Sequence, residues 1–417
     1  MSNDETRFEI QGGHHSNTHP HSSQFVLDDG TVCKVRGDYD WLMFSVGVDW
    51  IPLKQEVLVE LLDEGKSKLH QSNEESVVVM VPEYGNLVLF RTGVRWGGPH
   101  GEYFDYRLRI DGTEVLMSRR QERSETRPHF VVDIKGHDCL LHGAVNRYDH
   151  MCFAIESLGC RIRWDKINRA DLTMDVIGLA VTVLQKLFTD RHFITRFRSS
   201  DAKNDPINNR RTGIEAGKSP CRLAIYDKRF ETLHRKSPEY QAAMIQRRWD
   251  GAIPDRATRI EWQLRREKLK QFGITNVMDL FDRSQAVFEK LMTKMLRLTK
   301  EPVDRVNKNQ SRAETHPVWK HLINSIPAMY AGIIRDLEPI DRSKIDASMA
   351  LKTGLGHFKS AFRSYGLQFS NYREMLDAIV AVLEELGNTD AGGEKYRERV
   401  LRLYTNDLVA KGLDDAA

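Results

Sequence analysis

Three short segments alternate between apolar and polar residues, and this period-two pattern constrains the fold more than any other feature of the chain. They are residues 169–176 (RADLTMDV), 222–229 (RLAIYDKR) and 258–265 (TRIEWQLR). Alternate side chains of a β-strand point to opposite faces, so each segment predicts a strand with an apolar back and a polar front. The chain is therefore expected to contain a sheet with one face in the core and the other lined by charged and hydroxyl groups.

The rest of the pattern extends this sheet and adds helices. Further segments of strand length lie at 41–48, 77–81, 87–90, 104–110 and 129–134, with a hairpin signal at Asp111-Gly112. Strands at such short intervals favour antiparallel pairing with few crossover helices. Helices are predicted over 144–159, 177–189 and 286–299, and an apolar stripe at helical spacing lies within 376–386. We therefore predict an α+β fold, with a mainly antiparallel sheet domain and packed helices followed by an α-helical C-terminal region.

The 417 residues divide into three regions on composition. Residues 1–36 include GGHHSNTHPHSS and predict a polar, disordered tail. Metal binding by the tail histidines is the alternative at His14, His15, His19 and His21. Residues 37–285 form the predicted sheet domain, and residues 286–417 form the predicted helical region.

Several protein classes are excluded by what the sequence lacks. No segment approaches the roughly 18 uncharged apolar residues of a membrane span, and the polar N-terminus has no apolar secretory region. The five cysteines are odd in number and show no CxxC spacing. This argues against a disulfide framework or a zinc ribbon, so a cytoplasmic protein is expected.

Charge is distributed unevenly along the chain, although the formal net charge is only +3. Residues 191–270 contain 20 Lys and Arg against 10 Asp and Glu, whereas residues 1–60 carry an acidic excess of six. A strongly basic block of this kind is typical of proteins that bind polyanions. A solvated basic surface on an ordinary protein is the alternative interpretation.

The polar faces of the three strands carry reactive groups. Asp171 and Asp175 share one face and could converge on a hard divalent cation, which prefers oxygen ligands. Tyr226 has cationic neighbours that favour the phenolate, the form suited to attack on a phosphodiester. Glu261 lies between two arginines and could be a third metal ligand or a general base. The alternatives are a solvent-exposed polar face, a tyrosine at a sheet edge and an ordinary ion-paired carboxylate.

Five segments, in this order, resemble the replication initiation factor (Rep trans) family, the rolling-circle initiators of plasmids and filamentous phages. They are 38–45 (DYDWLMFS), 136–143 (GHDCLLHG), 169–175 (RADLTMD), 213–228 (GIEAGKSPCRLAIYDK) and 259–264 (RIEWQL). The resemblance covers roughly residues 38–275. It departs from the family pattern at Ala216-Gly217-Lys218, where the family has Gly-Ser-Arg.

The resemblance implies a DNA-nicking enzyme. Tyr226 would join the 5′ phosphate of a nicked origin strand and free a 3′ hydroxyl, with Lys228 as a second catalytic residue. Asp171, Asp175 and Glu261 would hold Mg²⁺ or Mn²⁺. The basic residues expected to contact DNA are Arg169, Lys218, Arg222, Arg259 and Arg265. The implied partners are origin DNA, as duplex and single strand, and a host helicase and polymerase, and a homodimer is left open.

Two alternatives of another kind remain. The first is a phage or plasmid regulator that keeps the basic surface and binds DNA without cutting it. The second is an unrelated α+β phosphodiesterase, which would not need a tyrosine. Residues 286–299 and 351–365 could read the origin duplex or could simply close the core.

Overall fold

The computed structural model describes residues 22–96, 101–120, 127–204, 211–303 and 310–329, together with Glu374. The strands are β1 (Ser22–Val26), β2 (Val32–Trp50), β3 (Ser76–Val81), β4 (Gly85–Phe90), β5 (Val94–Trp96), β6 (Glu102–Phe104), β7 (Tyr106–Ile110), β8 (Thr113–Met117), β9 (Phe130–Ile134), β10 (Cys160–Ile177), β11 (Phe193–Thr195), β12 (Ser200–Asn204), β13 (Arg211–Lys218), β14 (Cys221–Asp227), β15 (Ala257–Arg265) and β16 (Leu296–Leu298). The helices are α1 (Lys54–Ser72), α2 (Gly136–His142), α3 (Ala144–Ser157), α4 (Val181–Thr189), α5 (Lys228–Arg235), α6 (Pro238–Arg248), α7 (Arg266–Gln271), α8 (Val277–Lys290) and α9 (Pro317–Met329).

One large antiparallel sheet organises the described residues. Its strand order is β12-β13-β14-β15-β10-β2-β9-β8-β7-β4-β3, and β1 pairs with β2 beside this path. Two small antiparallel two-stranded sheets, β11 with β16 and β5 with β6, lie outside it. The predicted α+β class and the antiparallel pairing are confirmed.

The three period-two segments become adjacent strands near the middle of this sheet. Strand β15 pairs with β10 on one side and with β14 on the other. Their apolar residues form the fully buried back of the sheet, including Leu172, Met174, Leu223, Ile260 and Trp262. Helices α3 and α8 pack against β10, and α4 packs against β13. Burial of this apolar face is the main favourable contribution to folding.

The front of the sheet is polar, and part of it is covered by α2, α5 and α6. A second apolar cluster forms there between α2, α6 and the start of β15, from Leu140, Tyr240, Met244, Trp249 and Ala257. Ser237 caps helix α6, since its side chain accepts a hydrogen bond from the Tyr240 N–H, and Pro238 occupies the first turn of the helix. This cover removes one end of the polar face from solvent.

The N-terminal and helical predictions need correction. The disordered tail predicted over 1–36 is wrong for residues 22–36, which form β1 and the start of β2; the four tail histidines lie outside the described residues. The helix predicted over 286–299 ends earlier. Helix α8 stops at Lys290, a π-helical turn follows over Leu291–Met295, and Leu296–Leu298 pair with β11. Residues 351–365 and 376–386 lie outside the described residues.

The remaining helix predictions agree with the structure to within a few residues. Helix α3 begins at Ala144 as predicted, and α4 begins at Val181 rather than at residue 177. The predicted boundary at 285/286 falls inside α8, and contacts divide the chain into the units Met1–Ile340 and Asp341–Ala417. Within the described ranges, no helix has the length and apolar character needed to cross a membrane.

Candidate active site

Three cross-strand rows gather the predicted site residues on the polar face. In the first, Tyr226 of β14 lies opposite Arg259, which lies opposite Asp175 of β10. In the next, Glu261 lies opposite Thr173. The third row joins Arg222 and Asp171 through Gln263. Residues that are far apart in the chain thus become neighbours through strand register.

Tyr226 and Glu261 form the centre of this arrangement. The Tyr226 hydroxyl donates a hydrogen bond of 2.8 Å to Glu261 Oε2, and Gln263 Nε2 donates to Oε1 at 2.7 Å. Glu261 is buried and Tyr226 is half-buried. Burial and the adjacent charge of Glu261 raise the pKa of Tyr226 well above its usual value. The hydroxyl is therefore protonated at neutral pH and has a carboxylate in place to accept its proton.

Lys228 places a positive charge beside the tyrosine ring. The strand predicted through residue 229 ends at Asp227, whose side chain caps α5 by accepting from the Phe230 N–H at 2.8 Å. Lys228 therefore begins a helix and is buried, with Nζ 2.8 Å from Glu231 Oε2 and 5.7 Å from the centre of the Tyr226 ring. Burial opposes the charged form of Lys228, but neighbouring negative groups, Asp40 and Glu231 among them, outweigh it and raise its pKa.

Arg259 and Asp175 form a buried, two-point ion pair. Arg259 Nε and Nη2 donate to the two oxygens of Asp175 at 2.5 and 2.7 Å, and Nη1 donates to Asp40 Oδ1 at 2.6 Å. Both members of the pair are about 1% exposed. Burial opposes the ionised form of Asp175, but Arg259 overcomes this effect and lowers its pKa. The DNA contact predicted for Arg259 is not available from this position, because the guanidinium faces carboxylates rather than solvent.

Asp171 makes a separate two-point contact with Arg169 at the other end of the site. Arg169 donates from Nε to Asp171 Oδ1 at 2.8 Å and from Nη2 to Oδ2. The Arg169 guanidinium also stacks on Trp41, 3.6 Å from the ring centre. Burial raises the pKa of Asp171 to about 7, although Arg169 opposes this rise. Arg169 is therefore held within the protein by two partners.

The predicted convergence of Asp171, Asp175 and Glu261 on one cation does not occur in this arrangement. Asp171 and Asp175 are four residues apart on one strand, which separates their Cα atoms by about 13 Å. Arginine occupies both oxygens of each aspartate, and Tyr226 and Gln263 occupy those of Glu261. Among the described residues, no group of three His, Cys, Asp or Glu side chains is placed to hold a metal ion. The set does not fit a divalent cation as it stands.

The other basic residues of the prediction lie nearer to solvent. Lys218 and Arg265 are exposed. The Arg222 side chain is 38% exposed and donates to Glu215 Oε1 at 2.6 Å. These three cations are the predicted DNA contacts that a phosphate could reach from outside.

The sequence analysis missed Asp40, which binds Arg259. In the register between β2 and β10, Asp171 opposes Trp41 and Leu172 opposes Tyr39, so Asp40 is an extra residue in a bulge. A bulge re-aims the side chains around it, and here it brings Asp40 into the site. Gly136 packs on the same residue, since a Cβ there would lie 2.9 Å from the Asp40 carbonyl oxygen. The only sequence feature that points to Asp40 is the acidic pair Asp38 and Asp40 within residues 38–45.

Comparison with solved structures finds a likeness to the rolling circle replication initiator protein from Geobacillus stearothermophilus. The sequences are 14% identical, the TM-score is 0.40, and the likeness covers 72% of this chain and 100% of that chain. A TM-score of 0.40 is too low to transfer a role from one protein to the other. No protein-family model and no curated protein matches the chain.

Proposed function

We propose that this protein is a DNA-nicking enzyme that initiates rolling-circle replication, with Tyr226 as its nucleophile. The observation that carries the proposal is the hydrogen bond from the Tyr226 hydroxyl to Glu261, with the Lys228 charge beside the same ring. A nucleophile, a proton acceptor and a cation are the groups needed for attack by a hydroxyl on a phosphodiester.

The reaction balances with these groups. Tyr226 Oη attacks the phosphorus, and its proton passes to Glu261 as the new oxygen–phosphorus bond forms. The bond from phosphorus to the 3′ oxygen breaks, and that oxygen takes a proton from water. The products are a 5′-phosphotyrosine and a free 3′ hydroxyl. The phosphotyrosine bond conserves the energy of the broken phosphodiester, so the strand can be rejoined.

Two features support DNA as the substrate. Residues 191–270 carry a basic excess of ten, and this block includes the strands that bear Tyr226 and Glu261. Lys218 at the end of β13, Arg222 on β14 and Arg265 at the end of β15 retain exposure and could neutralise phosphates. A host helicase and polymerase are the proposed later partners, because the freed 3′ hydroxyl is a primer.

We also propose that the reaction requires Mg²⁺ or Mn²⁺, and we assign no residues as ligands of the cation. Chelation followed by addition of either cation tests this part separately. Nicking that persists in excess EDTA would remove the cation from the proposal and leave the tyrosine chemistry in place.

The direct test uses supercoiled plasmid carrying the DNA that flanks the gene, incubated with Mg²⁺ or Mn²⁺. We expect open circles with protein attached to a 5′ end, and no such product from the Tyr226→Phe variant. Tyr103→Phe is the matched control, because the Tyr103 side chain is exposed on β6. Nicking without a covalent adduct would contradict the proposal.

The second candidate is a DNA-binding regulator without nicking activity. The observation that favours it is the complete pairing of Asp171, Asp175 and Glu261 within the protein. Tight binding to the same flanking DNA with no nick, under either cation, would favour this candidate.

A further inference from the structure

We propose that a groove beside β13, lined by Arg191, Phe193, Phe197 and Arg198, binds a segment of single-stranded DNA. The inference deepens the proposed function, because it names where the strand is held away from the scissile phosphate. None of the residues predicted from the sequence to contact DNA lies in this groove.

The groove has the size and lining suited to a nucleotide. Its volume is about 310 Å³, at the lower end of the range of ligand-binding pockets. Thr195 and Gln310 add polar side chains to the lining. Single strands bind in basic grooves where aromatic rings stack on bases and cations meet the backbone.

The lining comes from a segment with an unusual charge pattern. Residues 191–198 (RHFITRFR) contain three arginines, two phenylalanines and no acidic residue. Arg191, Arg196 and Arg198 are exposed, and in the described part of the chain none of them forms an ion pair. Nearby, burial lowers the pKa of Lys268, and the charges of Arg196 and Lys290 lower it further. Positive charge is therefore concentrated around Arg196, Lys268 and Lys290.

The groove is fixed to the strand pair that leads to Tyr226. The Phe197 ring packs on Gly217, where a Cβ would lie only 2.4 Å from the ring, and Gly217 has a φ of +78°. The Gly217 N–H donates to the Ser199 carbonyl at 2.9 Å, and the Arg196 N–H donates to the Met295 carbonyl at 2.9 Å. Gly217 belongs to β13, which pairs with β14. A strand held in the groove would thus keep a defined position relative to the nucleophile.

Arg191 is present at a backbone position that favours glycine. Helix α4 ends in a Schellman motif, with the His192 N–H donating to the Leu187 carbonyl and the Arg191 N–H donating to that of Phe188. Arg191 occupies the left-handed position of this motif, with a φ of 63°. Left-handed backbone is unfavourable for a residue with a side chain. Glycine would be the less strained residue here, so replacing Arg191 with glycine removes the side chain without disturbing the motif.

A single strand fits these features better than a duplex does. Phe188 already stacks on Phe193, with ring centres 4.2 Å apart, and Trp262 stacks on Phe197, so a base can reach only the part of each ring that lines the groove. Bases of a duplex are stacked on one another and cannot make this contact, whereas those of a single strand can. A volume near 310 Å³ also admits one nucleotide rather than the width of a double helix.

The test measures binding of the full chain to a fluorescein-labelled twelve-nucleotide oligo(dT) by anisotropy over a salt series. Arg191→Gly and Arg198→Gln should each weaken binding several-fold, and together about tenfold or more at low salt. Each should reduce the slope of log affinity against log salt by about 0.7, the value for one phosphate contact on a single strand. Arg191→Gly should also raise the melting temperature or leave it unchanged, because glycine relieves the left-handed strain.

Arg161→Gln with Arg163→Gln is the matched control, since both arginines are exposed on β10 and the change in charge is the same. Wild-type affinity and salt slope in the groove variants would overturn the inference, as would an equal loss in the control. A loss that is equally large for a twelve-base-pair duplex would overturn the single-strand assignment. Oligo(dT) binding does not need the chemistry of Tyr226. If the wild-type protein never nicks DNA and the groove variants still lose oligo(dT) binding, the groove is supported and the proposed function is contradicted.

Discussion

The Tyr226 hydroxyl donates to Glu261 Oε2 at 2.8 Å across two adjacent antiparallel strands. Ala224, not Tyr226, is the direct cross-strand partner of Glu261, so the two side chains meet on the diagonal. Diagonal neighbours on one sheet face lie within reach of long side chains. The nucleophile and the proton acceptor of the proposed reaction are therefore set by strand register alone.

Glu261→Gln tests the role of this carboxylate as a proton acceptor. A glutamine keeps the volume and can still accept the Tyr226 hydrogen bond, but it cannot take the proton. We expect the fold to persist and the single-turnover rate of adduct formation to fall by about 100-fold or more. Glu215→Gln, on the same face of β13, is the control. A wild-type rate for Glu261→Gln would show that another group accepts the proton.

The ion pair between Asp175 and Arg259 is expected to stabilise the fold. Asp175→Asn leaves a buried guanidinium with one carboxylate fewer, and breaking such a pair costs about 3–5 kcal/mol. Urea denaturation measures this loss. The half-exposed pair of Glu215 with Arg222 is the comparison, and Glu215→Gln should cost less than about 1 kcal/mol. Equal, small losses in both variants would contradict a structural role for Asp175.

Asp171 should make stability depend on pH. Its pKa is raised from the ordinary 3.8 to about 7 in the folded state, so the folded protein holds a proton that the unfolded chain releases. The free energy of unfolding should therefore fall as pH rises from about 4 to about 7, by up to about 1.4 kcal/mol per pH unit. Asp171→Asn cannot titrate, so its stability relative to wild type should rise over this interval and then level off.

Melting curves of wild type and Asp171→Asn at half-unit steps from pH 4 to pH 8 measure this difference. Asp49→Asn, at an exposed position of β2, is the control variant. A difference between wild type and Asp171→Asn that is constant with pH would show that Asp171 is already ionised throughout.

The sequence was sufficient to predict the strands of the site but not their contacts. Period-two alternation identifies residues 169–176 and 258–265 as strands, because burial of one face requires that alternation. The pairing of Asp175 with Arg259 depends on which strands are neighbours and on their register. The bulge that brings in Asp40 has no signature in its own residues, since it is a mismatch between two strands.

In two places the structure departs from what the local sequence pattern predicts. Residues 296–298 continue an apolar helical stripe, yet they form β16 because their backbone pairs with β11. Lys228 is in phase with the strand before it, yet the Asp227 cap makes it the start of α5. Helix α1 was missed, although Leu58, Leu62 and Leu69 form a buried stripe at helical spacing.

The most direct test of the central claim is the identity of the residue that becomes attached to DNA. After reaction with a nicked or single-stranded substrate, trypsin should release residues 223–228 (LAIYDK) between Arg222 and Lys228. We predict that mass spectrometry finds the 5′-phosphate of the cleaved strand on Tyr226 in this peptide, and that Tyr226→Phe yields no linked peptide. A nucleotide linked to any other residue, or an adduct that survives in Tyr226→Phe, would contradict the account.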